Sequence, residues 1–190
     1  MVLARELGDG IGYWTDRLVG RLEGLGDDEY LWEPVEGCWS VRRGADGTWR
    51  PDLGPRGTPW TPDEVVPPVT TIAWRLWHLG ASPQPGWPPT TASSAMDFSK
   101  RWWTAEQAHG EEGVGTAREA IDALVSHWKA VAELVREFDD NELLVPMGET
   151  AGPYREASVH GLVLHVADEL IHHSAEVAVL RDLYRAGAAR

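Results

Sequence analysis

The sequence predicts an all-α protein, a four-helix bundle with long inter-helix loops. Apolar residues recur at helical spacing in four stretches, and no stretch alternates polar and apolar residues over the length of a strand. Proline and glycine are dense over residues 31–68, which separates the first helix from the rest by a long irregular segment.

The first helix is expected over about residues 3–25. Leu18, Leu22 and Leu25 carry its apolar face to the end, while Gly8, Gly10 and Gly12 lower the helical propensity of its start. Asp27-Asp28-Glu29-Tyr30 then has the form of a short capped turn before Leu31-Trp32-Glu33-Pro34. Residues 31–68 hold neither a helical nor a strand period and are read as an extended loop. A loop of that length in a compact domain is expected to serve as a lid or binding wall, with Trp39, Trp49 and Trp60 placed to fasten it.

Pro67-Pro68-Val69-Thr70-Thr71 reads as the entry to a short second helix, Ile72 to His78, which stops at Gly80 with Pro83 beyond. A turn-rich patch, Ser82 to Pro89, precedes Ala95 to Trp103, which is either a short helix or a lid segment. Thr116-Ala-Arg-Glu119 is a capping-box signature before an amphipathic third helix ending near Phe138. After Pro146, Gly148, Gly152 and Pro153, the fourth helix begins between Tyr154 and Ser158 and runs to about Arg185.

One domain over residues 1–190 is expected from the length, enough to bury a core without disulfides or a structural metal. Any metal is then expected to serve chemistry rather than folding. The net charge of −13, from 30 acidic and 17 basic residues, opposes contact with phosphate backbones, so no nucleic-acid partner is expected. Cys38 is the only cysteine, which excludes an intrachain disulfide and a cysteine-rich zinc module. With no signal-peptide core and no long apolar run, a soluble cytoplasmic protein without membrane contact is expected. Eleven tryptophans against two phenylalanines suggest packing and loop anchors whose indole N–H groups meet backbone acceptors, or rings lining a ligand cleft.

The densest chemistry lies in the fourth helix, His165-Val-Ala-Asp-Glu169-Leu-Ile-His172-His173-Ser-Ala-Glu176. At about 100° per residue, Leu162, Val166, Leu170, Val177, Leu180 and Tyr184 form one apolar stripe with His173 near its centre. Glu169 precedes His173 by one turn and leans toward the same stripe, the spacing at which helix-borne His and carboxylate side chains reach one ion. The same pair equally fits a core histidine hydrogen-bonded to its carboxylate neighbour. His165, His172 and Glu176 fall at the stripe's edge, and His172 is read as a rim residue. The pair lacks a third ligand, and His78 is the best candidate, although taken alone it fits better a rim histidine on an exposed turn. Thr71, Arg75 and His78 share a polar side of the second helix that is expected to face a cleft.

The run Val69-Thr-Thr-Ile-Ala-Trp-Arg-Leu-Trp-His78-Leu79, with Leu164-His-Val-Ala-Asp-Glu169-Leu-Ile-His-His173-Ser-Ala-Glu-Val177, resembles the DinB/YfiT-like superfamily, especially its actinobacterial members. Glu36-Gly-Cys-Trp39-Ser-Val-Arg42 is similar to the same relatives. The resemblance implies an up-down-down-up four-helix bundle, often a homodimer, with a divalent metal, commonly zinc or nickel, held by three side chains. In many members these are one His on the second helix and a His-x-x-x-His pair on the fourth, which maps to His78, position 169 and His173. Position 169 is Glu here. The branch resembling the N-terminal domain of mycothiol-dependent maleylpyruvate isomerase uses a His, Glu, His set, matched at all three positions, which favours zinc.

Members with an assigned activity are thiol-dependent transferases or isomerases using mycothiol or bacillithiol. The maleylpyruvate isomerases carry an additional C-terminal domain beyond the point where these 190 residues end, so that particular reaction is not expected. The reading that follows is a metal-dependent, mycothiol-using S-transferase or isomerase acting on a small electrophile or, with water in place of the thiol at the metal, a hydrolase. His172 and Glu176 are then candidates to orient a ligand or shuttle a proton, and Arg75 to receive an anionic group, although Arg75 equally fits an ordinary surface cation paired with one of the many carboxylates. A noncatalytic small-molecule or metal-binding stress protein with a Trp-rich cleft is the competing reading.

Overall fold

A computed structural model describes residues 2–52, 69–80, 92–108 and 112–188, and it is mostly helical, an all-α fold with one small hairpin. The elements are α1 (Val2–Leu22), α2 (Asp27–Tyr30), β1 (Val41–Arg43), β2 (Trp49–Pro51), α3 (Ile72–His78), α4 (Ala95–Ala108), α5 (Ala117–Glu137), α6 (Asp140–Leu143) and α7 (Val159–Leu183). A 3₁₀ turn spans Glu149–Tyr154, and α7 ends in a π-helical turn, Tyr184–Ala188. Trp60, Pro67, Pro68 and the turn-rich patch from Ser82 to Pro89 lie outside the described residues. Among the described residues, no helix is long and apolar enough to cross a membrane.

The chain groups into two compact units, and α1, α5 and α7 are long enough to contribute to both. The first takes residues 1–20, 84–110 and 125–172. There Asp140 caps the start of α1, its carboxylate accepting from the backbone N–H of Val2 at 2.7 Å and of Ala4 at 3.0 Å. Gly8, which lowers helical propensity, has a packing reason. A Cβ there would lie 2.6 Å from the carbonyl oxygen of Ala132 on α5, so only glycine permits this close approach of backbones. The segment left open as helix or lid is the helix α4, whose Phe98 packs against Trp102 and Phe138 with ring centroids 5.7 and 5.8 Å away. In α7, Leu162, Val166 and Leu170 are buried as the stripe requires, and Ser158 Oγ accepts from the Gly161 N–H at the helix start.

The second unit takes residues 21–83, 111–124 and 173–190. The first helix stops at Leu22, a turn earlier than its apolar face suggests, because Gly24 adopts a positive φ of 71°. The expectation of no strand is corrected by an antiparallel hairpin inside the long loop, with Val41 opposite Pro51 and Arg43 opposite Trp49. Three-residue strands are too short to show alternation in sequence. The hairpin braces α3: Trp39 and Thr70 form a parallel bridge, with Trp39 N–H donating to the Val69 carbonyl at 3.0 Å and Thr71 N–H to the Trp39 carbonyl at 2.8 Å. Residues 113 and 115 pass over the hairpin so closely that a Cβ on Gly115 would lie 2.1 Å from Trp49 Nε1. Arg181, fully buried, pairs with Glu29 at 2.7 Å and donates to the carbonyls of Arg21 and Glu23, which holds α2 against the end of α7.

Candidate metal centre

The site begins with the cap of α3. Thr71 accepts the Trp74 N–H on its hydroxyl at 3.2 Å and donates to Ser40 Oγ at 3.1 Å, so it is a buried helix cap and does not share a cleft-facing side with Arg75 and His78. Trp74 donates its indole N–H to the Asp52 carbonyl at 2.9 Å, and its ring stacks on His78 with centroids 5.1 Å apart and planes 15° from parallel. The hairpin thereby sets Trp74, and Trp74 sets the His78 ring. Trp39 packs against Trp74, with ring centroids 5.5 Å apart.

His173 lies on α7 in the buried stripe, 5% exposed, and its ring meets that of His78 edge to face. Glu169 stands one turn before it on the same continuous helix, with a quarter of its side chain exposed. His78, Glu169 and His173 each offer one ligand atom, and these atoms all lie within 4.8 Å of one another. Donors sharing one zinc ion at about 2.0–2.1 Å lie about 3.3 Å apart in a tetrahedron. The 4.8 Å that bounds the group is wider than that spacing, and the three side-chain torsions of Glu169 give it reach to draw in. Two imidazoles and one carboxylate are a donor set suited to zinc and to other divalent transition ions, so the group could hold a metal ion.

The other residues singled out in the sequence fall in two places. Glu176 and Arg75 join the cluster: Glu176 Oε2 lies 2.5 Å from His173 Nδ1, and the same carboxylate is 2.9 Å from Arg75 Nε and 3.2 Å from Nη2. His172 is half-buried, 3.8 Å from the Glu169 carboxylate and 3.6 Å from that of Asp168. His165 is exposed, 4.0 Å from Glu169. Both therefore border the Glu169 carboxylate.

Trp74 is the residue that sequence reading left among generic anchors. Its spacing of four from His78 is the signal that marks it, since residues four apart share a helix face. Not every indole meets a backbone acceptor: Trp103 donates to the Met147 sulfur at 3.0 Å, and Trp77 Nε1 has no partner among the described residues. Cys38 is buried, and burial pushes its thiol pKa up, the opposite of an activated thiolate.

A family model described as the DinB superfamily matches residues 14–177, a stretch that contains His78, Glu169 and His173 together with Arg75 and Glu176. No curated protein and no solved structure matches the chain.

Proposed function

Because the chain belongs to the DinB superfamily, we propose that it is a metal-dependent enzyme whose His78, Glu169 and His173 hold a divalent cation, zinc in first place and nickel in second. The observation that carries this reading is the convergence of one ligand atom from each of the three residues within 4.8 Å. Three protein donors leave a position for an exchangeable group, which is the catalytic rather than the structural pattern. A cation bound there would supply Lewis acidity, lowering the pKa of a coordinated thiol or water toward neutrality.

The reaction class proposed is S-transfer or isomerisation of a small electrophile with a low-molecular-weight thiol such as mycothiol as cosubstrate. The chain's own contribution is positional. Trp74 and Trp77 place apolar rings beside His78, with Trp39 packed against Trp74, which suits an electrophile with little charge. Glu169 supplies the one anionic donor, so the cation keeps part of its charge and with it its acidity toward a thiol. A homodimer and a cytoplasmic location accompany this reading as expectations.

The test is elemental analysis of untagged protein beside Glu169→Ala and His173→Ala, followed by thiol titration of the cobalt-substituted protein. Near one equivalent of metal, lost in both variants, with a thiol-dependent change in the cobalt absorption, supports the enzyme. Metal without any response to thiols points to a noncatalytic binding protein, and a chain that takes up no metal removes both forms of the metal reading.

A further inference from the structure

Arg75 lies between the supports of both histidines. On one side its guanidinium makes two contacts to the Glu176 carboxylate, at 2.9 and 3.2 Å, and that carboxylate meets His173 Nδ1 at 2.5 Å. On the other side the guanidinium carbon sits 5.2 Å above the Trp74 ring, and that ring is stacked on His78. The Arg75 side chain is only 14% exposed, whereas Glu176 is 43% exposed, so the cation is the anchored partner and the carboxylate the one that needs anchoring. Arg75, Trp74, His78, His173 and Glu176 all belong to the second unit.

We infer that Arg75 is a positioning residue for both candidate histidine ligands, acting on His173 through the Glu176 carboxylate and on His78 through the Trp74 ring; the inference rests on the metal reading above. A carboxylate can only accept a hydrogen bond, so Glu176 favours the tautomer of neutral His173 that carries its proton on Nδ1. Nε2 is then the nitrogen that carries the lone pair, the form in which an imidazole coordinates an ion. A half-exposed glutamate would otherwise sample several rotamers. The two guanidinium contacts select the one that faces His173, and a planar cation does this where a point charge on a flexible stem does not. The same plane packed on Trp74 restrains the indole that sets the tilt of His78. This use of Arg75 accounts for its cation within the cluster and makes it a support rather than a receptor for an anionic substrate.

The experiment compares wild type with Arg75→Ala, Arg75→Lys and Glu176→Ala in two readouts. In metal-free protein, ¹⁵N-resolved NMR of the histidine rings across a pH series reports, for each ring, when it is singly protonated and which nitrogen then carries the proton. Wild type is expected to show His173 with its proton on Nδ1, and Arg75→Ala and Glu176→Ala to show a mixture. Cobalt titration is expected to weaken about 10- to 100-fold in both variants, with Arg75→Lys between them and wild type. An unchanged tautomer and unchanged cobalt affinity in Arg75→Ala and Glu176→Ala overturn the inference. A wild type that binds no cobalt overturns the metal reading instead, and the ring signals still decide whether Arg75 and Glu176 hold His173. Should Arg75→Ala fail to fold, Glu176→Ala and Arg75→Lys carry the same comparison.

Discussion

The imidazoles of His78 and His173 meet edge to face, with ring centroids 4.8 Å apart and planes 85° apart, although one is carried by α3 and the other by α7. Trp74 stacks on the first ring and the Glu176 carboxylate meets the second, and Arg75 touches both of these supports.

Replacing His78 should therefore remove metal binding without unfolding the chain. His78→Ala is expected to retain wild-type helical circular dichroism while losing its equivalent of bound metal in elemental analysis. Chelation of the wild type should lower its melting temperature to that of His78→Ala, since an ion at about 100 times its Kd adds about 2.7 kcal/mol to stability. Loss of helicity along with metal would show the histidine to be a folding residue.

The Glu29 and Arg181 pair is buried on both sides, with 7% and 1% of the side chains exposed. Glu29→Ala leaves a guanidinium uncompensated in the core and should cost about 3–5 kcal/mol, read as a lower urea midpoint. Replacing both partners together, as Glu29→Leu with Arg181→Met, should recover most of that loss. A single substitution that leaves the midpoint unchanged would mean that water or another carboxylate replaces Glu29.

Two glycines of α1 should respond in opposite directions. A Cβ on Gly8 would meet the Ala132 carbonyl at 2.6 Å, and one on Gly20 would meet nothing within 4 Å. Gly20→Ala should raise stability by about 0.8–1 kcal/mol through helix propensity, whereas Gly8→Ala should lower it by about 1–3 kcal/mol through overpacking. Denaturant midpoints of the two variants check both signs at once.

His127 on α5 is buried, and neither ring nitrogen has a partner among the described residues. Burial alone pushes its pKa down to about 3. An exposed imidazole in the unfolded chain titrates near about 6.5, so between that pH and about 3 the unfolded state holds the extra proton. Stability then falls as the pH drops through this window, by at most about 1.4 kcal/mol per pH unit. His127→Leu should flatten the decline in urea midpoint between pH 6.5 and pH 4.5 relative to wild type. Parallel declines in the two proteins would show that His127 is not the group being protonated.

What the sequence determined by itself is what repeats with the helix period or lies within one turn. The burial of Leu162, Val166, Leu170 and His173 follows from spacing alone, as does the pairing of Glu169 with His173, because both depend only on the geometry of one helix. The start of α5 is legible for the same reason, with Thr116 accepting the Glu119 N–H. His78 could be named as a candidate third residue from the sequence but not tied to α7 by it, since nothing local joins the two helices, and the resemblance supplied that link. Tertiary structure decided the rest. It placed Arg75 on Glu176, paired a buried Arg181 with Glu29, turned Thr71 inward as a cap, and drew a hairpin from a loop with no period. Each of these joins groups far apart in the chain, and their energy depends on where intervening loops bring the backbone, which no pattern within a few residues records.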